Sequence, residues 1–390
     1  MKKLNIPFHK PFITDDEIKE VVDTIKSGWW TTGPKAQQFE MEFNSYIGSK
    51  RSVVVNSWTA AAHLSLEAIG IKEGDEVIVP SITFTASAEI VCYFKAIPVI
   101  VDVDPVTLNI SPSEIEKAVT KKTRAIIPVH YGGMPCDMDE IMEIAKKSSA
   151  NGGLKVIEDA AHALPAYYKD KMIGRISDVT CFSFYVTKTL ATGEGGMICT
   201  DDEEIADRCK VMRLHGISHD PWNRYTDEGS WYYEVISAGY KYNFTDIQAA
   251  LGIAQLKKLD AMLEMRKAIA AKYDEAFKSC GLLEIPTRLN DRESAYHLYP
   301  IRLNLEKLKI NRSQFINEIK NAGIGSSVHF IPLYRHPFYK NNFNPEIKNY
   351  PVSENEYPRL VSLPIFPGMT DEQIDYLSDR VLSILKSSEK

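Results

Sequence analysis

The sequence predicts an α/β fold: a mostly parallel central sheet with helices on both faces, followed by a smaller C-terminal α+β part. Three observations predict it. Short β-branched runs that are apolar throughout, not alternating, recur between about residues 50 and 200 with helical patterns between them, as expected of strands buried on both faces. From Thr245 to Phe277 the chain is helix-rich and carries no strand signal, which reads as a bridge to a second unit. A length of 390 residues with 44% hydrophobic content supports a large core and two domains rather than one. The expected division is residues 1–250 and 251–390.

Taken in order, Thr14-Asp15-Asp16-Glu17 reads as a capping box, with Ile18, Val21, Val22 and Ile25 at helical spacing and Gly28 as the stop. The chain therefore opens with an amphipathic helix. "SVVV" (52–55), "EVIVP" (76–80), "IPVIVDV" (97–103), "RAIIPVH" (124–130), "LKVIED" (154–159), "VTCFSFY" (179–185) and "GGMICT" (195–200) read as strands. Helices are expected from about Thr59, after Ser111-Pro112-Ser113-Glu114, and from about Met138. In the C-terminal part come "YHLYPIRL" (296–303), a helix near 312–322, "SSVHF" (326–330) and a last helix capped by Thr370 with Gln373, while 339–358 reads as a long surface loop. No internal repeat or low-complexity tract interrupts the pattern.

A net charge of −6 argues against nucleic acid as a partner, since phosphate-binding proteins need a basic face. The six cysteines form no C-x-x-C pair and sit largely in apolar runs, which fits a reducing cytoplasm. "MKKLNIPFHKPF" holds no continuous apolar stretch, and no segment reaches the roughly 18 apolar residues of a membrane span. The expectation is a cytoplasmic protein without membrane insertion.

In open α/β sheets ligands bind beyond the carboxyl ends of the strands, so residues just past each strand are the candidates. After "SVVV" stand Asn56-Ser57-Trp58-Thr59 and a helix start, which suits a phosphate seat or ordinary N-capping. Asp159 leaves its strand in "EDAAHA", either as a cap or as a functional carboxylate, with His162 one turn on. His130 and Tyr131 precede a glycine pair that turn chemistry alone explains. Lys188 follows "VTCFSF" and precedes Thr192-Gly193-Glu194-Gly195-Gly196, small residues that let backbone pass close to a bound group. A lysine desolvated there has a depressed pKa, and its free amine can react with a carbonyl cofactor. Lysine, strand-end aspartate and phosphate seat together suggest pyridoxal phosphate.

Competing motifs fail. Ile198 occupies the sixth position of a would-be dinucleotide fingerprint, and neither G-x-x-x-x-G-K-[ST] nor H-E-x-x-H occurs, so no metal is expected. His215 and His329 stand as isolated candidates, each equally readable as structural.

The blocks "SGWWTTGPK" (27–35), "NSWTAAAHLSLEAIGI" (56–71), "GDEVIVPSITFTASA" (74–88), "AIIPVHYGG" (125–133), "VIEDAAHA" (156–163), "SFYVTKTLATGEGGM" (183–197), "GYKYNFTDIQAALGIAQL" (239–256) and "GIGSSVHF" (323–330) extend over nearly the whole chain. In that order they resemble the sugar-nucleotide aminotransferases of the DegT/StrS group, fold-type I pyridoxal-phosphate enzymes. Within the group, "SGWWTTGPK", "HGISHDPWNRY" and "GYKYNFTDIQAA" are most similar to members that form UDP-4-amino-4-deoxy-L-arabinose for lipopolysaccharide modification; members acting on 4-keto-6-deoxyhexoses are close as well.

The resemblance implies Lys188 as the Schiff-base lysine and Asp159 as partner of the pyridine nitrogen. It places Phe84 as the aromatic stacked on the cofactor ring and His162 beside the cofactor. It implies that Ser57, the Trp58 and Thr59 amides and Ser183 hold the phosphate, with Asn243 entering from the other subunit of a homodimer. His329, Trp30 and Thr31 of the "WWTTG" loop and Tyr185 would face the nucleotide sugar, with L-glutamate as amino donor, returned as 2-oxoglutarate. Many members read "SFH" where this chain has Ser183-Phe184-Tyr185, which leaves the role of Tyr185 open. Members with histidine in place of the lysine are dehydratases, so Lys188 favours transamination over dehydration. A pyridoxal-phosphate-binding regulatory or scaffold protein without turnover is the alternative of another class.

Overall fold

The computed structural model describes residues 3–148, 153–217 and 232–390. Seven strands form the central sheet in the order Arg51–Val55, Gly196–Thr200, Val179–Ser183, Lys155–Asp159, Thr123–Ile126, Glu76–Pro80 and Ile97–Val101. All neighbouring pairs are parallel except those made by Gly196–Thr200, which runs against both of its neighbours. The predicted mostly parallel sheet is thus present with one reversed strand.

The apolar runs read as double-sided strands because they are double-sided. Val54, Ile78, Ile126, Val156 and Phe182 enter the core beneath helices Pro34–Ile47, Met138–Lys147 and Asp246–Leu256. Their alternates Val53, Val55, Val77, Val79, Ala125, Ile157 and Cys181 enter the opposite core beneath helices Trp58–Ala68, Ala86–Cys92 and Glu203–Met212. Side chains alternate along a strand with period two, so each strand feeds both layers.

Register decides what lies at the carboxyl edge. Gly196 pairs with Val55 on one side and with Ser183 on the other, and Asp159 pairs with Cys181. The residues following Val55, Asp159 and Ser183 therefore emerge side by side, although more than a hundred positions separate the first from the last.

A third core lies around helix Leu259–Phe277, strands Tyr299–Leu303 and Leu360–Leu363, and helix Asp371–Ser387, whose Thr370–Gln373 capping box forms as expected. Ile6 belongs to this core and bridges Ile324. No helix among the described residues is long and apolar enough to cross a membrane.

Three local expectations change. The first helix, Asp15–Ser27, has its capping box and its left-handed Gly28 stop, but its apolar stripe faces outward: Ile18, Val22 and Ile25 are 58%, 39% and 45% exposed. Glu17 and Thr24 are the buried residues instead, Glu17 held by Lys258 and Gln255. "SSVHF" is not a strand; it makes a single bridge, Ser327 to Ser362. Residues 339–358 are not an open loop but short helices, Pro337–Phe343 and Pro351–Glu356 among them, that pack against the central sheet's edge. Asp102 anchors them, accepting from the amides of Val352 (2.8 Å) and Ser353 (3.1 Å) and from the Ser353 hydroxyl (2.5 Å).

Candidate active site

At the carboxyl edge of the sheet the chain encloses a cavity of about 490 Å³ whose lining includes Ser57, Trp58, Thr59, Phe84, Asp159, His162, Ser183, Tyr185, Lys188 and His329. Ten of the thirteen predicted side chains are therefore brought together by strands and turns remote in sequence.

Ser57 caps helix Trp58–Ala68, its Oγ accepting from the Ala60 amide at 3.1 Å. The Trp58 and Thr59 amides find no acceptor among the described residues. A helix start leaves such N–H groups free, and the helix dipole adds partial positive charge there. Capping and an anion seat thus coexist at one place. Gly196 is what allows the adjacent strand to approach: a Cβ on it would lie 2.5 Å from the Ser57 carbonyl oxygen and 2.8 Å from the Trp58 nitrogen. Gly196 therefore serves a close backbone crossing beside the helix start. Gly193 adds a turn at φ +85°.

Asp159 is buried at the end of its strand. One carboxylate oxygen accepts from the Ala161 amide at 3.0 Å and the other from the Ser87 hydroxyl at 2.9 Å. Since Ser87 donates to Asp159, the Thr83 hydroxyl 2.8 Å away donates to Ser87, so a relay of two hydroxyls fixes the carboxylate. Burial raises the Asp159 pKa, while the Ala161 amide, Ser87 and Lys188 pull it down. Sequence reading missed Thr83 and Ser87. Their i, i+4 spacing in "TFTAS" was the available signal.

Lys188 sits in the turn after strand Val179–Ser183, its amide donating to the Tyr185 carbonyl at 2.8 Å. Enclosure by protein lowers its amine from 10.5 to about 8, with the Asp159 carboxylate opposing the shift. Desolvation penalises the ammonium form and leaves a substantial neutral fraction near neutral pH.

Around the lysine stand three histidines that burial keeps uncharged. His162 accepts from the Gly132 amide through Nδ1 at 3.3 Å, so its Nε2 carries the proton. Its pKa lies well below the ordinary value through burial and then through Lys188. His329, also lowered by burial and by Lys188, lies at about 4, and its Nδ1 is 2.8 Å from the Ser362 hydroxyl. His297, not singled out from the sequence, lies 4.4 Å from His162 between ring centroids and has a buried Nδ1 with no hydrogen-bond partner among the described residues. His130, by contrast, is structural: Nε2 meets Glu158 at 2.9 Å and Nδ1 accepts from the Cys136 amide at 3.0 Å. His215 is absent from the cavity lining.

Trp30, Thr31 and Asn243 do not line the cavity of their own chain. Trp30 and Thr31 are exposed, and Asn243 donates to the Thr32 hydroxyl at 2.8 Å. Asp246 fixes this corner by accepting from the amides of Gly33 (2.8 Å), Lys35 (3.0 Å) and Ala36 (3.0 Å), so the "WWTTG" loop and Asn243 form one outward-facing unit. Of "HGISHDPWNRY", positions 218–225 lie outside the described residues.

The sequence model of the DegT/DnrJ/EryC1/StrS aminotransferase family matches residues 11–382. An uncharacterised protein of Methanocaldococcus jannaschii, MJ1066, is 52% identical over 383 residues, 98% of each chain. The spore coat polysaccharide biosynthesis protein SpsC of Bacillus subtilis is 48% identical over 385 residues, again 98% of each. Among solved structures, the sugar aminotransferase Spr1654 of Streptococcus pneumoniae superposes with a TM-score of 0.92 at 35% identity, over 98% of this chain and 100% of that one. It was solved in its pyridoxamine-phosphate and pyridoxal-phosphate forms. The residues here fit such a group: one cavity offers unpartnered helix-start amides, a buried carboxylate and an amine with lowered pKa.

Proposed function

The chain belongs to the DegT/DnrJ/EryC1/StrS aminotransferase family, and from that premise we propose that it moves an amino group from L-glutamate to a nucleotide-linked 4-keto sugar. The acceptor in this reading is a UDP-linked 4-keto pentose or 6-deoxyhexose, and the product serves cell-surface polysaccharide or lipopolysaccharide synthesis, in the direction that the name of SpsC suggests. The enzyme is a pyridoxal-phosphate-dependent aminotransferase. The observation that carries the proposal is the convergence of the Lys188 amine, the Asp159 carboxylate and the free Trp58 and Thr59 amides on one cavity.

When bound, pyridoxal phosphate supplies an electron sink for the charge left as the donor's Cα proton departs. Ser57, the Trp58 and Thr59 amides and Ser183 hold the phosphate, the helix dipole favouring its charge. Asp159, held by Ser87 and Ala161, keeps a proton on the pyridine nitrogen. Lys188, with its amine near 8, takes the Cα proton and returns it one atom away as general base and acid. His162 would stand beside the bound cofactor and Phe84 would stack on its ring, both side chains lining the cavity. Tyr185 and His329 face the sugar nucleotide.

A homodimer accounts for the residues left outside the cavity. Asn243, Trp30 and Thr31 of one subunit complete the site of the other, and the outward apolar stripe of Ile18, Val22 and Ile25 beside them gives that association a hydrophobic surface. Residues 1–250 carry the cofactor in this reading and 251–390 form the smaller unit.

The test is spectroscopic. L-glutamate added alone to the pyridoxal-phosphate form should convert it to the pyridoxamine-phosphate form, and a UDP-linked 4-keto sugar should reverse the change. An enzyme that aminates no nucleotide sugar after the first conversion has another acceptor. A protein whose spectrum ignores glutamate uses another donor or does not transaminate at all.

A further inference from the structure

The segment Ile6–His9 precedes the residues that the family model matches, yet its Phe8 lines the cavity. Its placement is built in. The Ile6 amide donates to the Gly323 carbonyl and the Gly325 amide donates to the Ile6 carbonyl, both at 2.8 Å. A Cβ at Gly325 would lie 2.5 Å from the Phe8 nitrogen, so the approach depends on glycine there. The strap thereby delivers Phe8 to the cavity, where its ring stacks on His329 at 5.6 Å between centroids and 27° between planes. From His329 the rings continue to Phe330 (4.9 Å), and Phe330 meets both His162 (5.9 Å) and Phe84 (6.1 Å).

The cavity consequently has two chemistries. Its polar groups, Ser57, Asp159, Ser183 and Lys188, come from the strand ends of the central sheet, whereas Phe8, His329 and Phe330 come from outside that sheet and form an aromatic wall. His329 is neutral across the physiological range, so the stacked pair carries no charge. A neutral ring pair beside a polar floor suits a ligand part with C–H bonds on its surface, such as the face of a pyranose.

We propose that Phe8, stacked on His329, is a specificity-determining residue: it packs the pyranose ring of the acceptor sugar and decides between sugars with and without a methyl group at C5. This rests on the reading of the acceptor given above. A single methyl in an apolar pocket is worth about 1–3 kcal/mol, or roughly 10–200-fold in kcat/KM, which is the scale on which one wall residue can set the choice.

The test uses the full-length enzyme with its cofactor and two probes, a UDP-linked 4-keto pentose and a UDP-linked 4-keto-6-deoxyhexose. Phe8→Ala should raise the KM of the preferred sugar by about 10-fold or more with a smaller change in kcat, and should shift the kcat/KM ratio of the two sugars by about 10-fold. Phe8→Leu should fall between. The loss should be confined to the sugar half-reaction, and the affinity for UDP alone, which lacks the pyranose, should stay within about twofold of wild type. A Phe8→Ala enzyme with unchanged sugar KM and unchanged ratio overturns the proposal. So does one that loses the glutamate half-reaction or UDP affinity as severely as the sugar half-reaction, since Phe8 would then support the site as a whole. If the wild type aminates neither sugar, the acceptor reading fails and this inference falls with it; an active wild type with an indifferent Phe8→Ala rejects this inference alone.

Discussion

Raising the pH from 7 to 9 should accelerate the covalent capture of added pyridoxal phosphate by the apoprotein, and the rate should level off near the upper end. The reason is the Lys188 amine, which burial brings from 10.5 to about 8 while Asp159 resists. With a pKa near 8, its neutral fraction is roughly 10% at pH 7, 50% at pH 8 and 90% at pH 9, a ninefold gain that then saturates. An ordinary lysine would go from about 0.03% to about 3% over the same interval, a hundredfold climb with no plateau. Asp159→Asn removes the anion that supports the ammonium form, so the lysine pKa drops further and the plateau moves to lower pH. The assay mixes apoprotein and cofactor rapidly and follows cofactor absorbance, with Nα-acetyl-lysine run in parallel to report the cofactor's own ionisation. A hundredfold climb without a plateau in the wild type would refute desolvation of Lys188. An Asp159→Asn profile displaced to higher pH would refute the electrostatic role of that carboxylate.

Asp159→Asn should still bind pyridoxal phosphate but lose turnover by about 100-fold or more, the scale seen when one preorganised electrostatic group is removed; near-normal kcat would mean that another carboxylate serves the ring. Gly196→Ala places a methyl 2.5 Å from the Ser57 carbonyl and must push the strand away from the helix start, so cofactor affinity, measured by equilibrium titration, should fall about 10-fold or more through the lost phosphate seat. Unaltered affinity there would detach the seat from this strand crossing. Asp102→Ala leaves the amides of Val103, Val352 and Ser353 without their acceptor and should cost about 3 kcal/mol, at roughly 1–3 kcal/mol per orphaned buried donor with partial relief by water. Early proteolytic cleavage within 337–359 should accompany it, and a thermal midpoint equal to wild type would show that the short helices are held by other contacts.

The strands were legible because each feeds two cores, so its whole length is apolar and no helical period competes with it. Val53 and Val54 face opposite layers, yet both are buried completely. The first helix shows where that logic stops. Its stripe of Ile18, Val22 and Ile25 has the spacing of a core-facing surface, but periodicity reports only that a face is apolar and cannot say against what it packs. Short helices in 339–358 escaped for a different reason: their order comes from Asp102, some 250 positions away.

The same distinction runs through the candidate site. Ser57, Asp159 and Lys188 could be named because each stands at or just past the end of an apolar strand, and a parallel sheet delivers every such position to one edge whatever the strand order, whereas Ser183 came from the family resemblance. Register then determines which of them become neighbours, and register is non-local: Gly196 must pair with both Val55 and Ser183 before the helix start at Ser57 and the lysine turn can share a cavity. Residues that reach the cavity from outside the strand ends carry no such mark. His297 reads as part of a strand run, Phe8 falls in the opening stretch, and Ser87 lies in no element that the sequence marks; their significance lies in an orphaned nitrogen, a stacked ring and a hydroxyl relay. The strand-end rule thus locates the chemistry that many acceptors could share, while the contacts that would tell one sugar from another come from packing between distant segments. The substitutions most informative about substrate choice accordingly lie at Phe8 and along the aromatic wall, where chemistry at Lys188 can continue while selectivity changes.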